Sequence, residues 1–403
     1  MRHFDHLPEA QREAVFAVPP QPFSQTSGRE VLGLALGATL YSPGTRPALA
    51  ADARRAASVG TTSTVWCLED AVPHEAVRAA QANVVEQLVR LDEQTTGDGD
   101  APLLFVRVRT PDQLEEVAAD AGPAVRRLSG FVLPKFGPGA AGQAWFAALR
   151  AASDRAGVPL YAMPVLEHED LAWSETRPAH LAGLRELFAA EAAHVLAVRV
   201  GGTDLCGLFG LRRDSDTTIW EVAVVRDVLA DVVNAFGRGG RHVVSGPVWE
   251  HFASPERLFR SALRATPFQR RDVARTRDRL VRDDVDVLLR EVVLDRANGL
   301  TGKTVIHPSH VSVVNALQTV SREEYDDALT VLAGRGAGGV VRSPAGGRMN
   351  EIGPHTLWAE QVAARASVYG VLAHTDGVVD LLDAGWRVAQ EGYGHSELPA
   401  PSR

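Results

Sequence analysis

The feature that most constrains the fold of this chain is an alternation of short apolar runs with longer helical segments. Each apolar run is nearly continuous in hydrophobic residues, which is typical of parallel strands buried on both faces. The eight runs are VLGLALGATLY, STVWCLED, PLLFVRVRT, SGFVLPKF, PLYAMPVLEHE, HVLAVRVGG, RHVVSG and GKTVIHP.

Eight strands that alternate with helices predict parallel β/α units closed into a barrel. An open doubly wound sheet is the alternative, but it requires a G-x-G-x-x-G turn after the first strand, and GLALG has the wrong spacing. The predicted fold class is therefore α/β, a (β/α)8 TIM barrel with a C-terminal helical extension.

The same rhythm predicts the domain organisation. Residues 1–30 form an N-terminal extension, and residues 31–310 form the barrel. Residues 254–300 are rich in charge and predict a solvated helical insertion. Residues 311–385 form a C-terminal helical region, and residues 386–403 a disordered tail.

Composition and charge exclude several classes of protein. The net charge of −8 argues against nucleic acid as a partner, because phosphate binding needs a clustered basic face. The two cysteines form no C-x-x-C pair. No apolar run reaches the roughly 18 residues of a membrane span, and the start of the chain lacks a signal-peptide pattern. We expect a cytoplasmic protein that does not bind membranes.

Polar groups follow the apolar runs, on the barrel face where loops build active sites. Glu167 and Asp204 each come just after a strand. Mg²⁺ prefers such hard oxygen ligands, usually one or two carboxylates, so the pair predicts a magnesium site. The alternative is that both residues only cap the helices that follow.

A second group of charged residues ends the neighbouring strands. Arg107 is costly at a strand end unless it meets an anion, and its planar fork suits a carboxylate. Arg109 competes for this role. An internal salt bridge with Glu69 or Asp70 is the alternative; these two could also orient Arg107 or hold a water on the metal.

These motifs occur in one order that resembles the citrate lyase β-subunit-like family, within the HpcH/HpaI-type aldolases and malyl-CoA lyases. The resemblance covers roughly residues 31–372. The motifs that carry it are LYSPGTRPALA, VWCLEDAV, VRVRT, GFVLPKF, VLEHED, GGTDL and GLTGKTVIHPSHVSVVNAL, followed by SREEYDDALTVLAG and GRMNEIGPHTLWAEQVAARA.

The resemblance implies a Mg²⁺-dependent enzyme that cleaves or forms a carbon–carbon bond next to a 2-oxo acid or enolate. It also implies a homo-oligomer, often a trimer or hexamer. The metal ligands would be Glu167 and Asp204, and Arg107 would hold the carboxylate of a 2-oxo or hydroxy acid. The remaining implied site residues are Glu69 and Asp70 as catalytic groups and Arg46, Gly202 and Thr203 as substrate contacts.

Departures from the family pattern put the use of a CoA thioester in doubt. Cys67 replaces the first Asp of D-L-E-D, and Arg109 replaces the Asn of V-R-I-N. Asn350 stands where the family has an Asp that can act as base, and Glu351 is a possible substitute.

Two lysines, Lys135 and Lys303, could bind anionic groups of a larger substrate. A Schiff base at Lys135 is an alternative that the carboxylate pair makes redundant. Two rival functions stay open: an aldolase of a specialised pathway acting on a non-CoA phosphorylated or nucleoside-like substrate, and a ligand-binding barrel without catalysis.

Overall fold

Eight parallel strands close into a barrel in the computed structural model, which describes residues 1–94, 101–252 and 285–393. In their order around the barrel these strands are β2 (Ala38–Pro43), β3 (Ser63–Cys67), β4 (Leu103–Arg107), β5 (Leu128–Leu133), β6 (Tyr161–Leu166), β7 (Ala197–Val200), β8 (Val243–Trp249) and β9 (Lys303–Val305). Strand β9 pairs back with β2. The predicted (β/α)8 barrel is confirmed, and the open doubly wound sheet is wrong.

Helices surround the barrel and extend beyond it. In chain order they are α1 (Glu9–Val15), α2 (Arg29–Ala35), α3 (Leu49–Ser58), α4 (Val77–Gln94), α5 (Pro111–Asp120), α6 (Gly139–Ala156), α7 (Glu169–Ala172), α8 (Arg177–Ala190), α9 (Gly202–Leu208), α10 (Ala223–Val232), α11 (Asp286–Ala297), α12 (Ser309–Ala316), α13 (Arg322–Ala333), α14 (Ile352–Tyr369) and α15 (Gly377–Tyr393). The strands outside the barrel are β1 (Phe16–Val18), β10 (Val340–Arg342), β11 (Met349–Glu351) and β12 (Val371–Leu372).

Local sequence sets where these helices begin and end. Helix α5 follows Thr110, whose hydroxyl accepts a hydrogen bond from the N–H of Gln113, and Pro111 occupies its first position. Helix α6 ends at Gly157, whose φ of 67° lies in the left-handed region that glycine tolerates. The start of α5 thus fixes the loop that follows β4 at the carboxyl rim, and the end of α6 leads into β6 at the opposite end of the barrel.

Only the second part of the first apolar run forms a strand. Its first part forms α2, and the barrel strand β2 begins at Ala38. Leu32, Ala35 and Leu36 recur at helical spacing and pack with Val65 and Phe105 of the barrel interior. Apolar content alone does not separate a buried strand from a buried helix, so the sequence did not show this division.

The first residues of the chain pack against the C-terminal region. Strand β1 pairs antiparallel with β12, and the ring of Phe4 lies 5.4 Å from that of Phe16. His3 lies 4.3 Å from the ring of Tyr369, whose hydroxyl donates to the carbonyl of Leu34. Together with α2, these contacts close the amino end of the barrel and leave the other end free.

The expectation of a solvated insertion over residues 254–300 is wrong for α11; residues 253–284 lie outside the described part of the chain. Glu291 of α11 is buried and binds Arg213 and Lys303, each at 2.7 Å. Asp295 lies 2.7 Å from Lys303 and accepts from the indole N–H of Trp220. These charges pair inside the protein instead of facing water, and therefore α11 is a helix of the barrel wall.

The C-terminal helical region is present as α12 to α15. Helix α15 continues to Tyr393, past the start of the tail that we expected to be disordered at residue 386. Trp386 is buried in an apolar cluster with Val311 and Val379, which explains why the helix extends that far. Residues 394–403 lie outside the described part.

Within the described residues, no helix is both long enough and apolar enough to cross a membrane. The location in the cytoplasm and the assembly into an oligomer stay predictions.

Replacing Lys303 by Met should lower the free energy of unfolding by about 3–5 kcal/mol, because Asp295 would be left as a buried, uncompensated carboxylate and Glu291 would keep only Arg213 as a counter-charge. Urea unfolding followed by circular dichroism measures this loss. The control is Arg150→Met, since Arg150 pairs with Glu191 at the surface and should contribute about 1 kcal/mol or less. Equal losses in the two variants would contradict the stabilising role of the buried pairs.

His3 and His310 should each contribute a loss of stability as the pH falls from 7 to 5. Burial lowers the pKa of His3 and of His310 to about 3, so the unfolded chain takes up protons near pH 6.5 that the folded chain refuses. Each histidine then contributes up to about 1.4 kcal/mol per pH unit between about 6.5 and 3. His310→Gln should reduce the difference between urea midpoints at pH 7 and pH 5, whereas His374→Gln, at an exposed position, should leave it unchanged.

Candidate active site

The carboxyl ends of the barrel strands surround a cavity of about 720 Å³. Closure of the barrel brings these ends together, because parallel strands all finish at the same rim. The cavity wall contains most of the residues that the sequence singled out: Arg46, Asp70, Arg107, Glu167, Gly202, Thr203 and Asp204.

Glu167 follows β6 and is buried. Its Oε1 accepts a hydrogen bond of 2.9 Å from the backbone N–H of Lys135, which has a φ of 46° in the loop after β5. Its Oε2 lies against Gly201, where any side chain would clash. Burial, together with the nearby carboxylates of Asp204 and Glu69, raises the pKa of Glu167 to about 8, although Arg107 acts in the opposite direction.

Helix capping does not explain either of the predicted ligands. The N-cap of α7 is His168, which accepts from the N–H of Asp170, and Glu169 is exposed. The N-cap of α9 is Gly201, and Asp204 lies within its first turn, 3.9 Å from the ammonium of Lys135. Two carboxylates from different strand ends therefore face one cavity, which is the donor set that suits a divalent cation.

Arg107 is the last residue of β4, and three carboxylates lie around it. Its Nη2 binds Glu69 and Asp70, the latter at 2.9 Å, and lies 3.7 Å from Glu167. The internal salt bridge that we considered is thus present. The buried Nε of Arg107 has no hydrogen-bond partner among the described residues, and it remains a donor for a further anion.

Glu69 lies beside the cavity and forms ion pairs with both Arg107 and Lys135. Besides Arg107, it binds the ammonium of Lys135 at 2.6 Å and accepts from the N–H of Asp70. Burial and the contact with Asp70 raise the pKa of Glu69. Asp70 is half exposed. Burial acts to raise its pKa, but the contacts with Glu69, Arg107 and Lys135 outweigh burial and lower the pKa.

Lys135 is a protonated lysine in this arrangement. Burial acts to lower its pKa, but Glu69, Asp70 and Glu167 together raise it. A Schiff base requires the neutral amine. These contacts therefore argue against a Schiff base at Lys135.

Arg109 does not share the role of Arg107. Its guanidinium donates to the backbone carbonyls of Leu68, Glu69 and Val72, at 2.8, 3.0 and 2.6 Å. It therefore fixes the loop after β3. Lys303 likewise faces the buried carboxylates of α11 and not a ligand.

Asn350 and Glu351 lie on the β10–β11 hairpin. The buried amide of Asn350 donates to Asp327 of α13 at 3.0 Å. The backbone N–H of Glu351 donates to His355, and its side chain is exposed. Neither residue is part of the cavity wall within this chain.

The three residues that we predicted to contact the substrate each contact a neighbouring residue of the protein. Arg46 binds Asp52 at 2.7 Å at the edge of the cavity. The hydroxyl of Thr203 donates to Glu250, and Gly202 packs against Pro247. Both of these positions lie at the start of α9, beside Asp204.

The sequence motifs did not single out three further residues of the cavity wall, Tyr41, Arg199 and Thr304. Arg199 is 2% exposed and lies within strand β7. A charged residue inside the apolar run HVLAVRVGG was the one indication in the sequence, and we read that run only as a strand.

The comparisons with known proteins identify the family and the fold of the chain. A family model described as the carbon–carbon bond lyases of the TIM-barrel fold matches residues 30–371. No curated protein matches the chain.

Two solved structures show the same fold at low sequence identity. The protein CitE from Mycobacterium tuberculosis, in complex with magnesium, acetoacetate and coenzyme A, is 19% identical, with a TM-score of 0.50. That match covers 85% of this chain and 99% of CitE. A citrate lyase from Burkholderia xenovorans is 16% identical, with a TM-score of 0.55, and the match covers 86% of this chain and 96% of that one.

The resemblance to citrate lyase β-subunit-like proteins is thus confirmed as a divergent one. The family match covers more than two thirds of the chain and includes every strand of the barrel. The chain belongs to the family of carbon–carbon bond lyases with the TIM-barrel fold.

Proposed function

We propose that this lyase is Mg²⁺-dependent and cleaves or forms a carbon–carbon bond next to a 2-oxo acid or its enolate. One observation carries the proposal. Two strand-end carboxylates, Glu167 and Asp204, share a cavity with a strand-end arginine, Arg107. The structure of CitE from Mycobacterium tuberculosis in complex with magnesium, acetoacetate and coenzyme A supports the same chemistry.

The residues present fit a divalent cation. Glu167 is a buried carboxylate whose pKa rises to about 8 through burial and through its neighbours Asp204 and Glu69, so a nearby cation would relieve an unfavourable concentration of negative charge. Glu167 and Asp204 would hold the ion. When bound, Mg²⁺ supplies a Lewis acid that polarises the oxo group and stabilises the charge of the enolate.

Arg107 would bind the substrate carboxylate through its unpaired Nε. Its Nη2 is held by Glu69 and Asp70, which fixes the orientation of the guanidinium before the substrate arrives. Glu69 would act mainly as a positioning residue, because it also fixes Lys135.

Asp70 is the carboxylate that would exchange a proton with the substrate. It lines the cavity, is half exposed and keeps its charge, since its pKa is lowered by the contacts with Glu69, Arg107 and Lys135 despite partial burial. Arg46, Gly202 and Thr203 would contact the remainder of the substrate at the rim.

Replacing Glu167 by Gln should weaken Mg²⁺ binding by at least about tenfold, because loss of a ligand carboxylate removes charge that the amide does not restore. Asp204→Asn should act in the same direction. Isothermal titration with MgCl₂, in the presence and absence of oxalate, measures the effect. Glu169→Gln is the matched control, since Glu169 is exposed two residues away. If Glu167→Gln and Asp204→Asn both bind Mg²⁺ with wild-type affinity, these residues are not the metal ligands.

Replacing Arg107 by Gln should lower the affinity for pyruvate by at least about tenfold in saturating MgCl₂, because a charge-assisted hydrogen bond is lost. The affinity for Mg²⁺ should not fall, since Glu167 loses a competing cation. Arg107→Lys keeps the charge without the planar fork and should recover only part of the loss. Unchanged pyruvate binding in Arg107→Gln would show that the carboxylate is held elsewhere.

A further inference from the structure

Arg199 is a buried cation without a counter-charge. It is 2% exposed, and no ion pair joins it to a carboxylate within the described part of the chain. Its guanidinium donates instead to the hydroxyls of Thr39 and Thr304 and to the sulfur of Met163, and it lies 5.6 Å from the centre of the Tyr41 ring. All four partners are neutral.

Tyr41 and Cys67 do not balance this charge. Burial raises the pKa of the Tyr41 phenol, and it also raises the pKa of the Cys67 thiol. Both groups therefore stay protonated and neutral. Arginine keeps its proton in proteins, so Arg199 is a charge that no described residue compensates.

Other buried cations in the same chain are paired. Arg213 binds Glu291 at 2.7 Å, and Lys303 binds Asp295 at 2.7 Å. Burying a charge is costly unless a partner compensates it. Because no carboxylate in the described part of the chain pairs with Arg199, we expect its partner to be a bound ligand.

The position of Arg199 shows where this partner would bind. Arg199 pairs with Val165 across β6 and β7, which places it below the level of Glu167 and Gly201 by one inward-facing layer. It lines the same cavity as Glu167 and Arg107, together with Thr304 and Tyr41. The inner end of the cavity is thus positively charged, whereas its rim carries the carboxylates.

We propose that Arg199 binds an anionic group at the inner end of the substrate, so that the substrate carries two separated negative charges. One charge is the 2-oxo acid carboxylate at the metal site and Arg107, and the other is a carboxylate or phosphate-type group at Arg199. The hydroxyl of Thr304, which lines the cavity and accepts from Arg199, keeps a proton to donate to the same anion. The planar fork of arginine suits either group bidentately.

This inference rests on the proposed 2-oxo acid site, and the probes separate the two ideas. Isothermal titration in MgCl₂ compares pyruvate, which has one anionic group, with oxaloacetate, 2-oxoglutarate and phosphonopyruvate, which have two. At least one of the three should bind wild-type protein about 10–100 times more tightly than pyruvate, since charge-assisted hydrogen bonds contribute on that scale. A preference for phosphonopyruvate would identify a phosphate-type group, and a preference for a dicarboxylate would identify a carboxylate.

Arg199→Gln should remove this preference and leave pyruvate affinity within about twofold of wild type. Arg199→Lys should keep part of the preference. Arg150→Gln changes the net charge equally at the surface and should bind all four probes as wild type does. Equal binding of all four probes by wild-type protein, or an equal loss of pyruvate and dianion binding in Arg199→Gln, would overturn the proposal.

Stability of the ligand-free protein gives a second readout. Arg199→Gln should unfold at the same temperature as wild type or at a higher one, because it removes an uncompensated buried charge. A clear decrease would indicate a structural role and count against the proposal. If Arg199→Gln does not fold, this result also indicates a structural role for Arg199. The proposal is then tested by whether wild-type protein binds dianions more tightly than pyruvate. If wild-type protein shows no Mg²⁺-dependent binding of pyruvate, the proposed function itself is refuted.

Discussion

Closure of eight parallel strands is the constraint on which the rest of this structure depends. It brings every strand end to one rim, so that residues far apart in the chain, such as Arg46, Arg107 and Asp204, share one cavity. Helix α2 and the paired strands β1 and β12 close the opposite end. The chemistry is therefore concentrated on a single face whose positions are set by the rigid strands.

Buried charge divides into two classes around this barrel. Outside it, Lys303 and Arg213 are neutralised by the carboxylates of α11 and stabilise the fold. Inside the cavity, charge is left incompletely matched. Glu167 has a pKa raised to about 8 by burial and nearby carboxylates, and Arg199 has only neutral partners. Incomplete matching has a cost in stability, and a metal ion and a dianionic substrate would compensate it on binding.

Much of the fold could be predicted because strand period and turn chemistry are local. The eight apolar runs each contain a barrel strand, and Thr110 with Pro111 begins a helix as such pairs usually do. Two segments could not be predicted locally. Helix α2 has the apolar content of a strand, and α11 has the charge of a solvated helix. Their environments depend on distant partners such as Val65 and Lys303.

The sequence by itself determined the barrel, the family motifs and the placement of Glu167, Asp204 and Arg107 at strand ends. Only the tertiary structure decided which charged groups meet. It assigned Arg109 to loop carbonyls, paired Lys303 with α11 and left Arg199 inside the barrel without a carboxylate partner among the described residues. The physical reason is that the period of a strand fixes the face on which a side chain lies. The partner across the barrel, and hence the balance of charge, is fixed only when distant strands are brought together.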